Sequence, residues 1–351
     1  MSVLVRRVVA VVGVVGVAAF ATFGSLTGAH AAAAAAPAAD GDGVPESFRI
    51  ESPRITESSG LAASRRHKGV YWTHNDSDDG PYVYAVDSAT GKTVATVTLQ
   101  GIDPRDVEGI SIGPDGAVYV GDIGDNLNGG WSEVWIYRFD EPERLRDATV
   151  TPARYTVRYA DGPRDAESLM VHPKTGRVYI ASKSQKRDGG IYEGPGQLST
   201  SGVNVFRRIA RTEITATDGA FSPDGTRLVL RSYLGGEMFR WRDGKPKALD
   251  RPVNPPLTGQ GESVTFTPDG RTLMCGAEGE KSLVAPLELD GELLPETVEA
   301  REKGSDSARG GSGASPGGDG PADRNVVVGG LTVAAVVGLW VVLRRLFRRR
   351  G

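Results

Sequence analysis

From about residue 46 to residue 300, apolar residues recur in short alternating runs bounded by glycine, proline or aspartate, the pattern of β-strands and tight turns rather than helices. Five of these runs align: Ser59-Gly60-Leu61, Glu108-Gly109-Ile110, Glu167-Ser168-Leu169, Asp218-Gly219-Ala220 and Glu262-Ser263-Val264. The first position is polar and mostly acidic, the second is Gly or Ser, and the third is apolar. Successive spacings of 49, 59, 51 and 44 residues match the length of a propeller blade. A turn follows four of the runs: Gly113-Pro114-Asp115-Gly116, His172-Pro173-Lys174-Thr175-Gly176, Ser222-Pro223-Asp224-Gly225 and Thr267-Pro268-Asp269-Gly270. Proline presets φ and glycine takes the left-handed position, so each reads as a hairpin. The first repeat has only His67-Lys68-Gly69 there.

A second apolar strand comes next, as in Val70-Tyr71-Trp72 and Val118-Tyr119-Val120, and two weaker strands complete each unit, for example residues 82–86 and 93–97. Four strands per repeat predict an all-β propeller of four-stranded blades. The count is five blades, or six if one degenerate unit escapes the pattern. A β-sandwich is the competing fold, but it needs no fixed repeat. Small residues in the second column suit inner strands that converge on a central channel. Residues 48–55 are placed to add an outer strand to the last blade and close the ring without an exposed edge.

The two ends of the chain read differently. Residues 1–31 resemble an export signal: a positive start ending at Arg7, an apolar run, then Ala29-His30-Ala31 as a small-x-small cleavage site. An uncleaved N-terminal anchor is the alternative. Residues 32–45 form a low-complexity leader and 46–300 the propeller. Residues 301–324, rich in Gly, Ser, Pro and Asp, read as a flexible stalk. Residues 325–343 carry no charge over a length that spans about 30 Å of hydrocarbon as a helix. The basic tail, 344–351, follows directly and marks the cytoplasmic side. The expected topology is therefore single-pass type I at the cell membrane, with the propeller outside. Cys275 is the only cysteine, so an exported chain of this kind relies on burial and strand pairing rather than an internal disulfide.

Charge narrows the choice of partners. The formal net charge is −3, with 41 basic and 44 acidic residues. Seven of the arginines lie in the two terminal segments; without them 34 basic residues face the 44 acids, so the body carries about −10. That balance excludes nucleic acid as the expected partner and suits cations or cationic ligands. Beyond the membrane, the partner expected is a small ligand or a surface protein, and the chain is expected to be a monomer.

Propeller topology gathers these acids. Inner strands begin, and second strands end, on the same face, because the two run antiparallel around a hairpin. That face receives Glu57, Ser59, Asp106, Glu108, Asp165, Glu167, Asp218 and Glu262 from strand starts. Strand ends add His74-Asn75-Asp76, Asp122 to Asn126, Lys183, Arg231 and Glu278. Two like charges about 8 Å apart at an effective dielectric of about 20 repel by about 2 kcal/mol, so such a ring needs cations. Arg105, Arg164, Lys183 and Arg231 are the internal candidates. A metal is the other source: oxygens from Glu108, Glu167, Asp122, Asp125 and Asn126, without His or Cys among them, favour Ca²⁺. Gly121-Asp122-Ile123-Gly124-Asp125-Asn126 is the sharpest local motif, and an Asx-rich turn would explain it structurally. Asn75, Asp76, Asp106, Asp165, Asp218, Lys183 and Arg231 are candidate ligand-binding residues. Pro-Arg-Asp-x-Glu occurs twice, from Pro104 and from Pro163, and a local Arg–Asp pair would account for it.

Other chemistries find no support. Residues 75–80 begin like an EF-hand loop, but Val86 stands where the bidentate acid belongs. His67 and His172 fall on the turn side, which leaves only His74 for the polar face and no usual zinc set. A nucleophile-elbow pattern at 313–317 lies in the stalk, outside any strand-to-helix turn.

The strings Ser58-Ser59-Gly60-Leu61, His74-Asn75-Asp76, Asp106-Val107-Glu108-Gly109-Ile110, Gly121 to Asn126 and Asp161 to Glu167 resemble those of bacterial secreted propeller proteins. More distantly, the chain is similar to TolB-like and WD40-like propellers, a group that includes calcium-dependent lactonases, strictosidine-synthase-like proteins and propeller phytases. The resemblance spans about residues 46–300. It implies Ca²⁺ held by channel acids and, for phytases, a basic phosphate pocket that this sequence supplies poorly. Two functions follow as expectations. One is a surface-tethered propeller binding a cation and a ligand or protein. The other is a Ca²⁺-dependent hydrolase of esters, lactones or phosphoesters, with His74 or Glu262 as general base.

Overall fold

Strands form where β-branched and aromatic residues alternate with polar ones, and they stop at the Pro-Asp-Gly turns. The computed structural model describes residues 43–76, 79–125, 129–183 and 188–309. Among the described residues, those from Val44 onward make one unit. The signal segment, the leader up to residue 42, the apolar span 325–343 and its basic tail lie outside the described residues. Among the described residues, no helix is long and apolar enough to cross a membrane.

A short strand, β1 (Phe48–Arg49), comes first, and five groups of strands follow. The first group is β2 (Ser58–Ala63), β3 (Val70–Asn75), β4 (Tyr82–Asp87) and β5 (Thr93–Leu99). The second is β6 (Val107–Ile112), β7 (Ala117–Asp122), β8 (Val134–Asp140) and, after the short β9 (Ala148–Val150), β10 (Ala153–Tyr159). The third is β11 (Ala166–Val171), β12 (Val178–Ser182), β13 (Gly189–Glu193) and β14 (Val203–Thr212). The fourth is β15 (Asp218–Phe221), β16 (Arg227–Arg231), β17 (Gly236–Arg242) and β18 (Lys245–Val253). The last is β19 (Gly261–Phe266), β20 (Thr272–Ala277) and β21 (Leu283–Glu288).

Within each group the strands pair antiparallel in sequence order, and β1 pairs with β21 as the fourth strand of the last group. The first strands of the groups neighbour one another in a closed cycle, β2 to β6 to β11 to β15 to β19 and back to β2. The fold is mostly β, and this arrangement is consistent with a β-propeller. The closing strand is shorter than the sequence suggests, two residues rather than eight. Two outer edges are covered in a way the repeat does not announce: β9 adds to β5 in parallel, and β10 pairs in parallel with β14, merging two groups into one eight-stranded sheet. Both contacts consume edge hydrogen-bonding groups that would otherwise invite another chain.

The core lies between successive groups. Trp72, with no exposed surface, packs with Val83, Val97, Val118, Tyr137 and Phe139. Its indole Nε1 donates to Glu141 Oε1 at 2.8 Å.

After β21 the sequence suggests an irregular stalk from residue 301, but helix α1 (Glu296–Arg309) runs through that boundary. The reason is tertiary. Asp224, in the Pro-Asp-Gly turn between β15 and β16, accepts the Thr297 amide and hydroxyl, both at 3.0 Å, and Thr226 Oγ1 accepts the Glu296 amide at 2.9 Å. These bonds satisfy amides that a helix start leaves open. Val298 is buried with Leu293 and Leu294, and the fully buried Arg227 lies 3.7 Å from Glu296 and 3.9 Å from Glu299. The helix therefore starts on the turn side of the strands.

Candidate functional site

Four of the five inner strands carry the same irregularity at their first turn of chain. In β2, Ser58 pairs with Asn75 and Gly60 with His74, which leaves Ser59 as an extra residue. The register slips identically around Glu108 in β6, Glu167 in β11 and Glu262 in β19. Such bulges bend the strand and re-aim the extra residue's side chain. Ser59, Glu108, Glu167 and Glu262, contributed from positions two hundred residues apart, accordingly line one cavity. Asp76, Lys183, Tyr233, Gln260 and Glu278 complete its wall. The remaining inner strand, β15, has no bulge: Asp218 pairs in register with Arg231. Its fully buried carboxylate accepts the amides of Gly219 at 2.7 Å and Val264 at 2.8 Å. Asp218 is thus a tie between inner strands and does not line the cavity, contrary to the ligand-binding role its repeat position suggests.

Asp76, Asp106 and Glu108 bring a carboxylate oxygen each within 4.8 Å of one another. Ser59 Oγ donates to Glu108 Oε2 at 2.7 Å. Gly124 passes so close that a Cβ there would lie 2.6 Å from Asp106 Cγ and 2.7 Å from Glu108 Cγ. This is why a glycine of the sharp 121–126 motif matters: it lets backbone press against the acids. Burial pushes the Glu108 carboxyl well above the usual range, and the neighbouring charges of Asp76 and Asp106 add to this. Burial, then a hydrogen bond and charge repulsion from Asp106, raise Asp76 to about 8. Glu262 is pushed up to about 7, chiefly by burial, against the Gln260 hydrogen bond that favours its charged form. These shifts are what carboxylates undergo when burial outweighs the groups that favour their charged form.

The shortage of counter-charge has a structural cause. Of four cations expected from the sequence to offset the acids, Lys183 alone lines the cavity, paired with Glu167 and 5.8 Å from the Tyr233 ring centre. Arg105 lies against the rings of Trp131 and Trp135, 3.9 and 3.7 Å from their centres. Arg164 pairs with Asp161 at 2.8 Å. Arg231 donates to the Ser263 carbonyl at 2.9 Å and is buried, so it too serves the strands rather than a ligand.

Other expected site residues are also consumed by the scaffold. His74 is 1% exposed, holds Nδ1 3.0 Å from the Asn75 carbonyl, and abuts Gly60. Burial pushes it down to about 4, a neutral ring away from the cavity wall and badly placed for a general base there. The Asn75 side chain accepts the amides of Thr56 and Glu57 and donates to Arg54 O and Asp79. Asp122 accepts the amides of Arg105 and Asp106 at 3.2 and 3.0 Å and the Tyr137 hydroxyl at 3.0 Å. Asp125 accepts the Trp131 amide at 2.7 Å, and its own amide donates to Asp165 at 2.9 Å. Asp122 and Asp125 thus organise the loops that carry Asp106 and Asp165, and neither belongs to the close carboxylate trio. Asn126 lies outside the described residues. Conversely, the sequence does not single out Tyr233 and Gln260. Tyr233 sits two residues after Arg231 and Gln260 two residues before Glu262, both just outside the strands, where the repeat pattern carries no signal. Ser59 and Glu278 are on the expected face, though with no assigned role.

No protein-family model and no curated protein sequence matches the chain. Solved structures do align with it. A PQQ-bound aldose sugar dehydrogenase from Streptomyces coelicolor matches at 12% identity and a TM-score of 0.40, over 70% of this chain and 99% of that one. A gluconolactonase from Xanthomonas campestris matches at 14% and 0.40, over 66% and 86%. A chain of the mitotic checkpoint complex matches at 13% and 0.38, over 66% of this chain, which spans 61% of that one. At such identities and TM-scores these likenesses say nothing of what this chain binds.

Proposed function

We propose that this chain is an exported, membrane-anchored propeller of five blades whose acidic mouth binds a divalent cation, Ca²⁺ by its oxygen-only donors, and through that face a small ligand or surface protein. The observation that carries the reading is the trio Asp76, Asp106 and Glu108, three carboxylates within reach of one ion; burial and then the neighbouring acids raise the proton affinity of Asp76 and Glu108. A hard cation supplies that charge and accepts carboxylate, amide and water oxygens in flexible number. The cavity volume of about 40 Å³ suits an ion with a few waters and falls well below the roughly 300–1,000 Å³ of sites that enclose an organic ligand. Binding is therefore better supported than hydrolysis, in which Glu262 would serve as the base; an organic partner would sit across the mouth rather than inside it. The export signal, residues 1–31, and the apolar span, 325–343, support the placement outside the membrane.

Isothermal titration of Ca²⁺ into the protein at pH 7.5 tests this. The expected outcome is one site with a Kd of about 10⁻⁴–10⁻³ M, the range of extracellular modules. Proton release should accompany binding, read from buffers of different ionisation enthalpy, because Asp76 and Glu108 must give up protons to the ion. Glu108→Gln and Asp76→Asn should abolish both. Absence of heat and of any melting shift at 10-fold higher Ca²⁺ would remove the cation from the proposal.

A further inference from the structure

The two ends of the inner strands differ in chemistry. Downstream of the acids, the same strands carry Leu61, Ile110, Ile112, Ala220 and Phe266, which line a second cavity of about 280 Å³ on the turn side. Two polar side chains in its wall are already engaged: Ser111 Oγ accepts the Val171 amide at 3.0 Å, and Thr265 Oγ1 accepts the Ala63 amide at 3.3 Å. Arg65, exposed, stands at the rim. It lies in the field of Asp115 and Glu141 yet forms no ion pair with them among the described residues. Asp115 is bound to Arg138 at 2.7 Å, and Glu141 Oε1 takes the Trp72 indole and the Ser64 hydroxyl. The result is a concave wall of mixed apolar and polar surface, with one guanidinium at its lip.

We infer that this turn-side cavity binds a small amphiphilic carboxylate, with its apolar body among the inner strands and its carboxylate on Arg65. Apolar area leaving water drives the body inward, and the planar guanidinium matches a carboxylate with two parallel hydrogen bonds. Size limits the ligand. A cavity of about 150 Å³ lined by Leu, Ile and Phe holds benzene, so about 280 Å³ suits one body of roughly a dozen heavy atoms and not the two chains of a phospholipid. The site is independent of the cation mouth, since it occupies the opposite end of the inner strands.

Photolabelling of the full chain with a diazirine-bearing dodecanoate tests this, with labelled peptides mapped by mass spectrometry. Saturable labelling is expected in residues 61–65 and 110–112, displaced by dodecanoate at least 10-fold better than by dodecanol. Ala220→Phe, which fills the cavity, should cut labelling at least 5-fold with melting unchanged. Arg65→Gln, which removes the guanidinium's charge without adding a like charge beside Asp115 and Glu141, should erase the preference for dodecanoate over dodecanol, and it decides the matter if the Phe variant does not fold. Labelling that maps elsewhere, dodecanol competing equally in the wild type, or displacement by phospholipid vesicles alone would each overturn the inference.

Discussion

Replacing Glu262 by Gln should make the protein more stable above neutral pH and leave it unchanged in acid. Glu262 is 6% exposed, and its folded-state value of about 7 lies above the ordinary 4.5. Between those values the folded protein keeps a proton that the unfolded chain has released, so stability falls as pH rises, by about 1.4 kcal/mol per pH unit at most. The decline is complete once pH passes 7, and the ceiling is about 3 kcal/mol. Glutamine mimics the protonated carboxyl in shape and can still accept from Gln260, so the variant escapes the penalty. For a domain of this size the gain corresponds to about 6–12 °C in Tm. Melting curves of both proteins, recorded in chelator from pH 4.5 to 8.5, should coincide at the acid end and diverge through neutrality. Asp76 contributes its own decline toward pH 8 to both proteins, so the difference curve isolates position 262. A flat difference curve, or a wild type that melts higher at pH 8.5, would refute the claim that this carboxylate is buried without adequate counter-charge.

Gly124→Ala should weaken Ca²⁺ binding at least 10-fold and cost about 1–3 kcal/mol in denaturant melts, since the new methyl overlaps Asp106 and Glu108. Trp72→Ala should cost about 3–5 kcal/mol by urea unfolding, from the cavity left in the core and the lost indole bond to Glu141. Asp224→Ala should cost about 1–2 kcal/mol and open the first turn of α1, read as faster hydrogen exchange at Glu296 and Thr297 with the sheets unaffected.

Much of the strand pattern was legible because its signals are local. Alternation and Pro-Asp-Gly turns place β6 and β7 around residues 113–116, and β15 and β16 around 222–225, using only the few residues on either side. The same local reasoning misjudged residues 301–309, where helix formation rests on Asp224 and Thr226 about seventy residues away. It also misjudged the cations: Arg105 follows a proline and precedes an aspartate, but the indole rings that claim it arrive from residues 131 and 135. Likewise Asp122 and Asp125 read as metal ligands from their spacing, whereas backbone amides of neighbouring loops occupy them.

By itself the sequence determined the period, the strand and turn chemistry within each repeat, and the acidic character of one set of strand ends, all written in residues close together in the chain. Which acids meet was decided in three dimensions. A one-residue slip in pairing turns Glu108, Glu167 and Glu262 toward the cavity, while in-register pairing turns Asp218 onto backbone amides. Register is a property of two strands together, and the charge state of Glu108 and Glu262 depends on burial and on where other loops place their charges, so neither is encoded at any single position.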